Sequence, residues 1–124
     1  MILVVDDDMA IRTSLSLVLK CAGYEVKTVA TPHEAIDVVR GLAPQLVLMD
    51  MNYSLSTDGI EGLTLLKQVK IFQPQVPVIL MTAWGSIPLA VEGVKSGAVD
   101  FVTKPWDNRA LLQRIETAIQ TILF

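Results

Sequence analysis

The chain holds a single cysteine, Cys21. That excludes an internal disulfide and any cysteine-based metal centre, and it makes a reducing, cytoplasmic setting the default. No uninterrupted apolar stretch is long enough to cross a bilayer, and Met1 is followed almost at once by strand-like residues rather than by a signal peptide. The chain is therefore read as soluble, with no membrane partner. No cluster of Lys and Arg stands on any predicted face, and the net charge is −3 with a pI near 5.0, which argues against direct nucleic acid binding. There is no internal repeat, no low-complexity tract and, at 124 residues, no room for a second domain. Residues 1–124 are expected to form one domain. Strand residues begin at Ile2 and a helical pattern still runs at Ile122, Leu123 and Phe124, so the ends are read as trimmed from a longer protein.

Apolar residues are plentiful, at 52% of the chain. Four short apolar runs each stop on a polar residue suited to phosphate or metal: ILVVDDD (2–8), QLVLMD (45–50), VPVILMTA (76–83) and VDFVTKP (99–105). Such runs, bounded by turn residues, predict strands buried on both faces of a parallel sheet. A fifth run, EVKTV (25–29), alternates polar and apolar residues as a half-covered strand near the sheet edge should.

Helical spacing fills the gaps between these runs. Ile11, Leu15, Val18, Leu19 and Ala22 mark the core side of a first helix that Gly23 stops, and Cys21 is read as a small buried side chain. Thr31, Pro32 and Glu34 spell a second helix start, with Thr as N-cap, Pro first in the helix and Glu three residues after the cap. Ile60, Leu63, Leu66 and Val69 line a third helix, Ser86 and Pro88 open a fourth that Gly97 ends, and Asp107 or Asn108 caps a fifth built on Leu111, Ile115, Ala118, Ile119 and Ile122. Strands alternating with helices predict an α/β doubly wound, five-stranded parallel sheet of order 2-1-3-4-5, flavodoxin-like in arrangement. In such a sheet ligands sit off the carboxyl ends of the strands, so Asp6, Asp7, Asp50, Thr82 and Lys104 are expected to converge.

Three carboxylates within reach of one another repel, and a bound cation relieves the repulsion. Oxygen-only ligands select a hard ion, and a site with few protein ligands and retained waters suits Mg2+ better than Ca2+ or Zn2+. The three aspartates' formal charge is balanced by Mg2+ and Lys104 together, leaving a pocket able to accept a phosphoryl group. An aspartate carboxylate can attack phosphorus to give an acyl phosphate, and the Thr82 hydroxyl can donate a hydrogen bond to the attached group.

The whole constellation resembles the receiver domain of bacterial two-component response regulators, over essentially the entire chain. The residues that carry the resemblance are the acidic pair Asp6 and Asp7 after strand one, Asp50 at the end of strand three, Thr82 followed by the small Ala83, and Lys104 with Pro105. The resemblance implies that Asp50 is the phosphoacceptor and that Asp7 and Asp50 ligate Mg2+ by carboxylates, Asn52 by its backbone carbonyl and Asp6 through water. It further implies a switch role for Phe101, three residues before the lysine, and a cis Lys104 to Pro105 bond. The wording MTAWGS, KSGAVDF and TKPWDN looks most like receivers of the nitrogen-regulation, sigma-54 activator type. By that resemblance the partners are a sensor histidine kinase and an output part with an ATPase and a DNA-binding helix-turn-helix, with homodimer formation on phosphorylation through the face of helix 4, strand 5 and helix 5. One stretch departs from the family pattern: MNYSLSTDGIEG (51–62) lacks the usual Pro after the phosphoacceptor and is longer.

Other residues have plainer readings. Asp8 is read as a helix N-cap, His33 as an exposed residue with no ligand-type partner, and Trp106 as covering the core end or contacting a partner. Trp84 is expected to shield the acyl phosphate from water. Two competing functions stand beside the switch. One is a haloacid-dehalogenase-like phosphatase using the Asp-x-Asp spacing of Asp6 and Asp8, against which Ala10 stands where that motif wants Thr or Val. The other is a receiver-like docking module that is never phosphorylated.

Overall fold

Strands and helices alternate from the first residues to the last. The computed structural model describes residues 1–51, 60–82 and 87–123. Within them run β1 (Ile2–Val5), α1 (Met9–Cys21), β2 (Val26–Val29), α2 (Pro32–Gly41), β3 (Leu46–Asp50), α3 (Ile60–Phe72), β4 (Val78–Thr82), α4 (Ile87–Lys95), β5 (Asp100–Thr103) and α5 (Asn108–Leu123). The five strands form one parallel sheet in the order β2-β1-β3-β4-β5, as the apolar runs predict.

The period-two rule divides each central strand between two cores. Leu3, Val5, Val47, Met49, Val78 and Leu80 face Ala35 and Val39 of α2 and Leu65, Leu66 and Val69 of α3. Ile2, Val4, Leu46, Leu48, Ile79 and Met81 face Leu15 and Leu19 of α1 and Leu111, Ile115 and Ala118 of α5. Both faces being covered explains why β1 is apolar throughout, and β3 and β4 are apolar at every position before the terminal Asp50 and Thr82, instead of alternating. Truncating one of these fully buried side chains, Ile79→Ala for example, would cost roughly 2–5 kcal/mol. At the edge, the consecutive Lys27 and Thr28 of β2 lie on opposite faces and both stay exposed, so strict alternation fails there: β2 is covered on neither face at Thr28 and is buried only at Val29.

The punctuation residues act as their chemistry dictates. Thr31 caps α2 by accepting from the Glu34 N–H at 3.2 Å, and its hydroxyl donates to Glu34 Oε1 at 3.1 Å. Asp8 caps α1 through the Ala10 N–H at 2.9 Å, and Asp107 accepts from the Arg109 N–H at 3.2 Å ahead of α5. Gly23 and Gly97 take φ values of 95° and 120° just past α1 and α4, where the following N–H groups turn back to orphan helix carbonyls.

Two expectations about α1 fail. Cys21 is exposed, not buried, because it stands two positions from Leu19 and so roughly 200° round the helix. Ala22 is exposed as well, being the C-cap beyond the last turn that covers the sheet. Among the described residues no helix is long and apolar enough to cross a membrane.

Candidate functional site

Four strand ends build the site. Asp6 follows the last residue of β1, Asp50 and Thr82 are the last residues of β3 and β4, and Lys104 follows the last residue of β5. Parallel register holds them level, with Val5 beside Met49, Asp50 beside Met81 and Thr82 beside Thr103. Beyond the ladder the Lys104 N–H donates to the Thr82 carbonyl at 2.8 Å, and the Met51 N–H donates to the Met81 carbonyl at 3.0 Å. Residues distant in sequence therefore end at one rim, the crevice where strand order reverses between β1 and β3.

Asp6, Asp7 and Asp50 each offer a carboxylate oxygen, and these atoms all lie within 4.8 Å of one another. Asp6 and Asp50 are buried, whereas Asp7 is exposed and opens the group to solvent. Lys104 reaches in from the far side. Its Nζ lies 3.1 Å from Asp6 Oδ2 and 3.4 Å from Asp50 Oδ1. Burial pulls the Lys104 pKa down, but the charges and hydrogen bonds of Asp50 and Asp6 outweigh that and raise it above the ordinary 10.5. The ammonium is thus firmly protonated at neutral pH.

Asp6 is engaged on both oxygens, since Oδ1 accepts from the Asp8 N–H at 2.9 Å. The donor set is oxygen alone, carries more negative charge than Lys104 offsets, and touches solvent at Asp7. Those properties fit a hard divalent cation that keeps part of its water shell. Thr82 is buried, and its hydroxyl donates to the Val102 carbonyl at 3.5 Å, the long limit for such a bond. Phe101, next to Val102, is half-buried against the core under α2 and α3 and lines a cleft of about 380 Å³ with Trp106, Leu111 and Arg114. Asp100 accepts from the Phe101 N–H at 2.8 Å, and one nitrogen of Arg114 lies 2.7 Å from both Asp100 oxygens.

The Lys104 to Pro105 bond is cis, Pro105 is exposed, and Trp106 packs half-buried on the core under α1 and α5. Asn52, Ala83 and Trp84 lie outside the described residues. His33 is exposed as read, but it does have a partner, the Asp37 carboxylate one turn on at 3.6 Å. Asp8 is committed to the α1 cap, and the metal-type cluster holds Asp7 in its place, against the Asp-x-Asp pairing.

Two residues that bear on the site carry no motif signal. Arg12 donates from Nη1 to the Asp6 main-chain carbonyl at 2.8 Å. Gly62, in the first turn of α3, lies so close to Met51 that a Cβ there would meet main-chain atoms of the residue after Asp50. A glycine placed early in a helix was the one available hint for the second.

Comparison with known proteins gives a consistent answer. The family described as response regulator receiver domain matches residues 2–116. The transcriptional regulatory protein FixJ of Bradyrhizobium diazoefficiens is 40% identical over 119 residues, 96% of this chain and 56% of that protein. The transcriptional regulatory protein ZraR of Klebsiella oxytoca is 43% identical over 118 residues, 95% of this chain and 26% of that protein. The chain thus spans about half the length of the first relative and a quarter of the second. In three dimensions it is similar to the receiver domain of NtrX from Brucella abortus, with a TM-score of 0.91 and 34% identity over 98% of this chain and 99% of that one.

Proposed function

Because the chain belongs to the response regulator receiver family, a signalling family and not a class of catalytic enzymes, we propose that it is a phosphorylation switch with Asp50 as phosphoacceptor. A sensor histidine kinase in the cytoplasm is the donor. An Asp50 carboxylate oxygen attacks phosphorus while the P–N bond to the kinase's phosphohistidine breaks. The imidazole leaves with the bonding pair and takes up a proton, and Asp50 becomes an acyl phosphate.

What supports the reading above all is Lys104, whose Nζ stands 3.4 Å from Asp50 Oδ1 and 3.1 Å from Asp6 Oδ2. A fixed cation is thus in position before charge arrives, which costs no rearrangement during transfer. By this reading Asp7 and Asp50 would hold Mg2+ by carboxylates, with Asp6 acting through water and Asn52 through its carbonyl. When bound, the ion supplies positive charge against the phosphoryl oxygens. Ala83 is the small residue that follows Thr82, and Trp84 would shield the group from water.

The readout starts at Thr82. Its hydroxyl now donates to the Val102 carbonyl over a long bond, and a phosphoryl oxygen on Asp50 is a stronger, charged acceptor. When the hydroxyl turns to it, the space beside β5 opens and Phe101 turns inward. The face of α4, β5 and α5 then shifts between two populations, and α4 carries the exposed Val91 and Val94. That face pairs with a second copy or with an output part, transcriptional in kind, as the names of FixJ and ZraR suggest.

The site of modification is testable by chemistry. After treatment with Mg2+ and acetyl phosphate, borohydride reduces an acyl phosphate to the alcohol, and a peptide map should show homoserine at position 50. Homoserine at position 6 or 7, or nowhere, would sink the assignment.

A further inference from the structure

Arg12 is half-buried on α1, and its Nη1 donates to the main-chain carbonyl of Asp6 at 2.8 Å. That carbonyl stands one residue past Val5, the last residue of β1 to pair with β2 and β3. The Asp6 N–H still donates to the Val29 carbonyl of β2 at 3.2 Å, but among the described residues no main-chain N–H reaches the Asp6 carbonyl, and a buried carbonyl needs a donor. The peptide plane it belongs to joins Asp6 to Asp7, so fixing the carbonyl fixes where the Asp7 Cα, from which that side chain leaves, stands relative to Asp6. Two further bonds close the same turn. The Asp8 N–H donates to Asp6 Oδ1 at 2.9 Å, and the Arg12 N–H donates to the Asp8 carbonyl at 3.0 Å.

We infer that Arg12 is a positioning residue for the divalent cation, its guanidinium holding the Asp6 carbonyl so that Asp6 and Asp7 face the ion. The inference rests on the proposed cation site. Mg2+ demands near-octahedral geometry, so a small rotation of one carboxylate is felt as lost affinity. Groups that orient metal ligands without touching the metal are worth about 10- to 100-fold in affinity. Charge alone predicts the reverse, because a guanidinium near the carboxylates repels a second cation and its removal should tighten binding. The sign of the change therefore separates positioning from simple electrostatics.

The test is calorimetric titration of Mg2+ into the metal-free wild-type chain, Arg12→Met and Arg12→Lys at one ionic strength, with thermal melts in chelator to follow folding. Arg12→Met keeps an apolar stem of similar bulk and removes both donor and charge. It should bind Mg2+ about tenfold more weakly. Arg12→Lys keeps the charge and loses the guanidinium, and should fall between the two. Equal or tighter binding by folded Arg12→Met overturns the inference. If that variant does not fold, Arg12→Lys decides: weaker binding supports positioning, and wild-type affinity overturns it. A wild-type chain that binds no Mg2+ brings down the cation site itself and the inference with it.

Discussion

Lys104 Nζ lies 3.1 Å from Asp6 Oδ2, across a sequence separation of 98 residues. In the open sheet β1 and β5 lie on opposite sides of β3 and β4, so the lysine side chain must reach across two strand ends to meet Asp6. The ammonium spans the rim of two intervening strands and touches Asp50 on the way. Fold and chemistry meet in that one side chain.

Removal of Lys104 should leave the buried Asp6 and Asp50 carboxylates without their cation. Lys104→Met is expected to cost about 1–3 kcal/mol at neutral pH, less than a fully buried pair because the lysine keeps some solvent contact. The pH dependence has a definite sign. The Lys104 pKa is raised in the folded chain, so its contribution is complete below the ordinary value of 10.5 and is lost as pH rises through the folded value. Denaturant titrations should show the gap between wild type and Lys104→Met shrinking above about pH 10.5. Lys70, whose pKa burial lowers, acts in the opposite direction, but it is present in both chains and cancels in the difference.

Gly62 and Gly93 should respond unequally to alanine. At Gly62 the new Cβ would stand 2.7 Å from Met51 Cα and 2.8 Å from its carbonyl carbon, main-chain atoms that cannot step aside without moving Asp50. At Gly93 the close contact is with the Cδ1 end of the Leu80 side chain, which gives way more readily than main chain, and alanine's helix propensity returns about 1 kcal/mol. Gly62→Ala should lose roughly 1–3 kcal/mol by denaturant unfolding and accept the phosphoryl group more slowly, with Gly93→Ala well below that loss. Equal losses would refute the close approach of α3 to the residue after Asp50.

Thr82→Val separates acceptance from readout. The bond it removes is long, so stability should change by no more than about 1 kcal/mol. Phosphoryl uptake should persist, while the amide and ring resonances of Phe101 should no longer shift on phosphorylation. A full Phe101 response in the valine variant would rule out the hydroxyl as the link.

Trp84→Ala should shorten the life of the acyl phosphate. The measurement is the first-order decay of phosphorylated protein after the donor is removed. An unchanged rate would count against shielding.

Much of this architecture is legible in the sequence, because buried parallel strands must be apolar at every position and their polar ends then mark one edge. The Thr31-Pro32-Glu34 cap and the glycines at 23 and 97 announce their helix boundaries through local chemistry, and the structure bears them out. Contacts set by tertiary approach are not legible. Arg12 reaches back to the Asp6 carbonyl, Arg114 pairs with Asp100, and Gly62 touches Met51, none of which any short-range spacing encodes. The misreadings of Cys21 and Ala22 have a similar origin, since apolar character alone cannot say where a helix ends its cover of the sheet.

The most direct test of the switch is intact mass after incubation with Mg2+ and acetyl phosphate, run beside Asp50→Asn and a chelated control. Wild type should gain one phosphoryl group that is lost on standing, and neither control should gain any. A wild-type chain that binds Mg2+ yet gains nothing, or an Asp50→Asn chain that gains as much as wild type, would contradict the account.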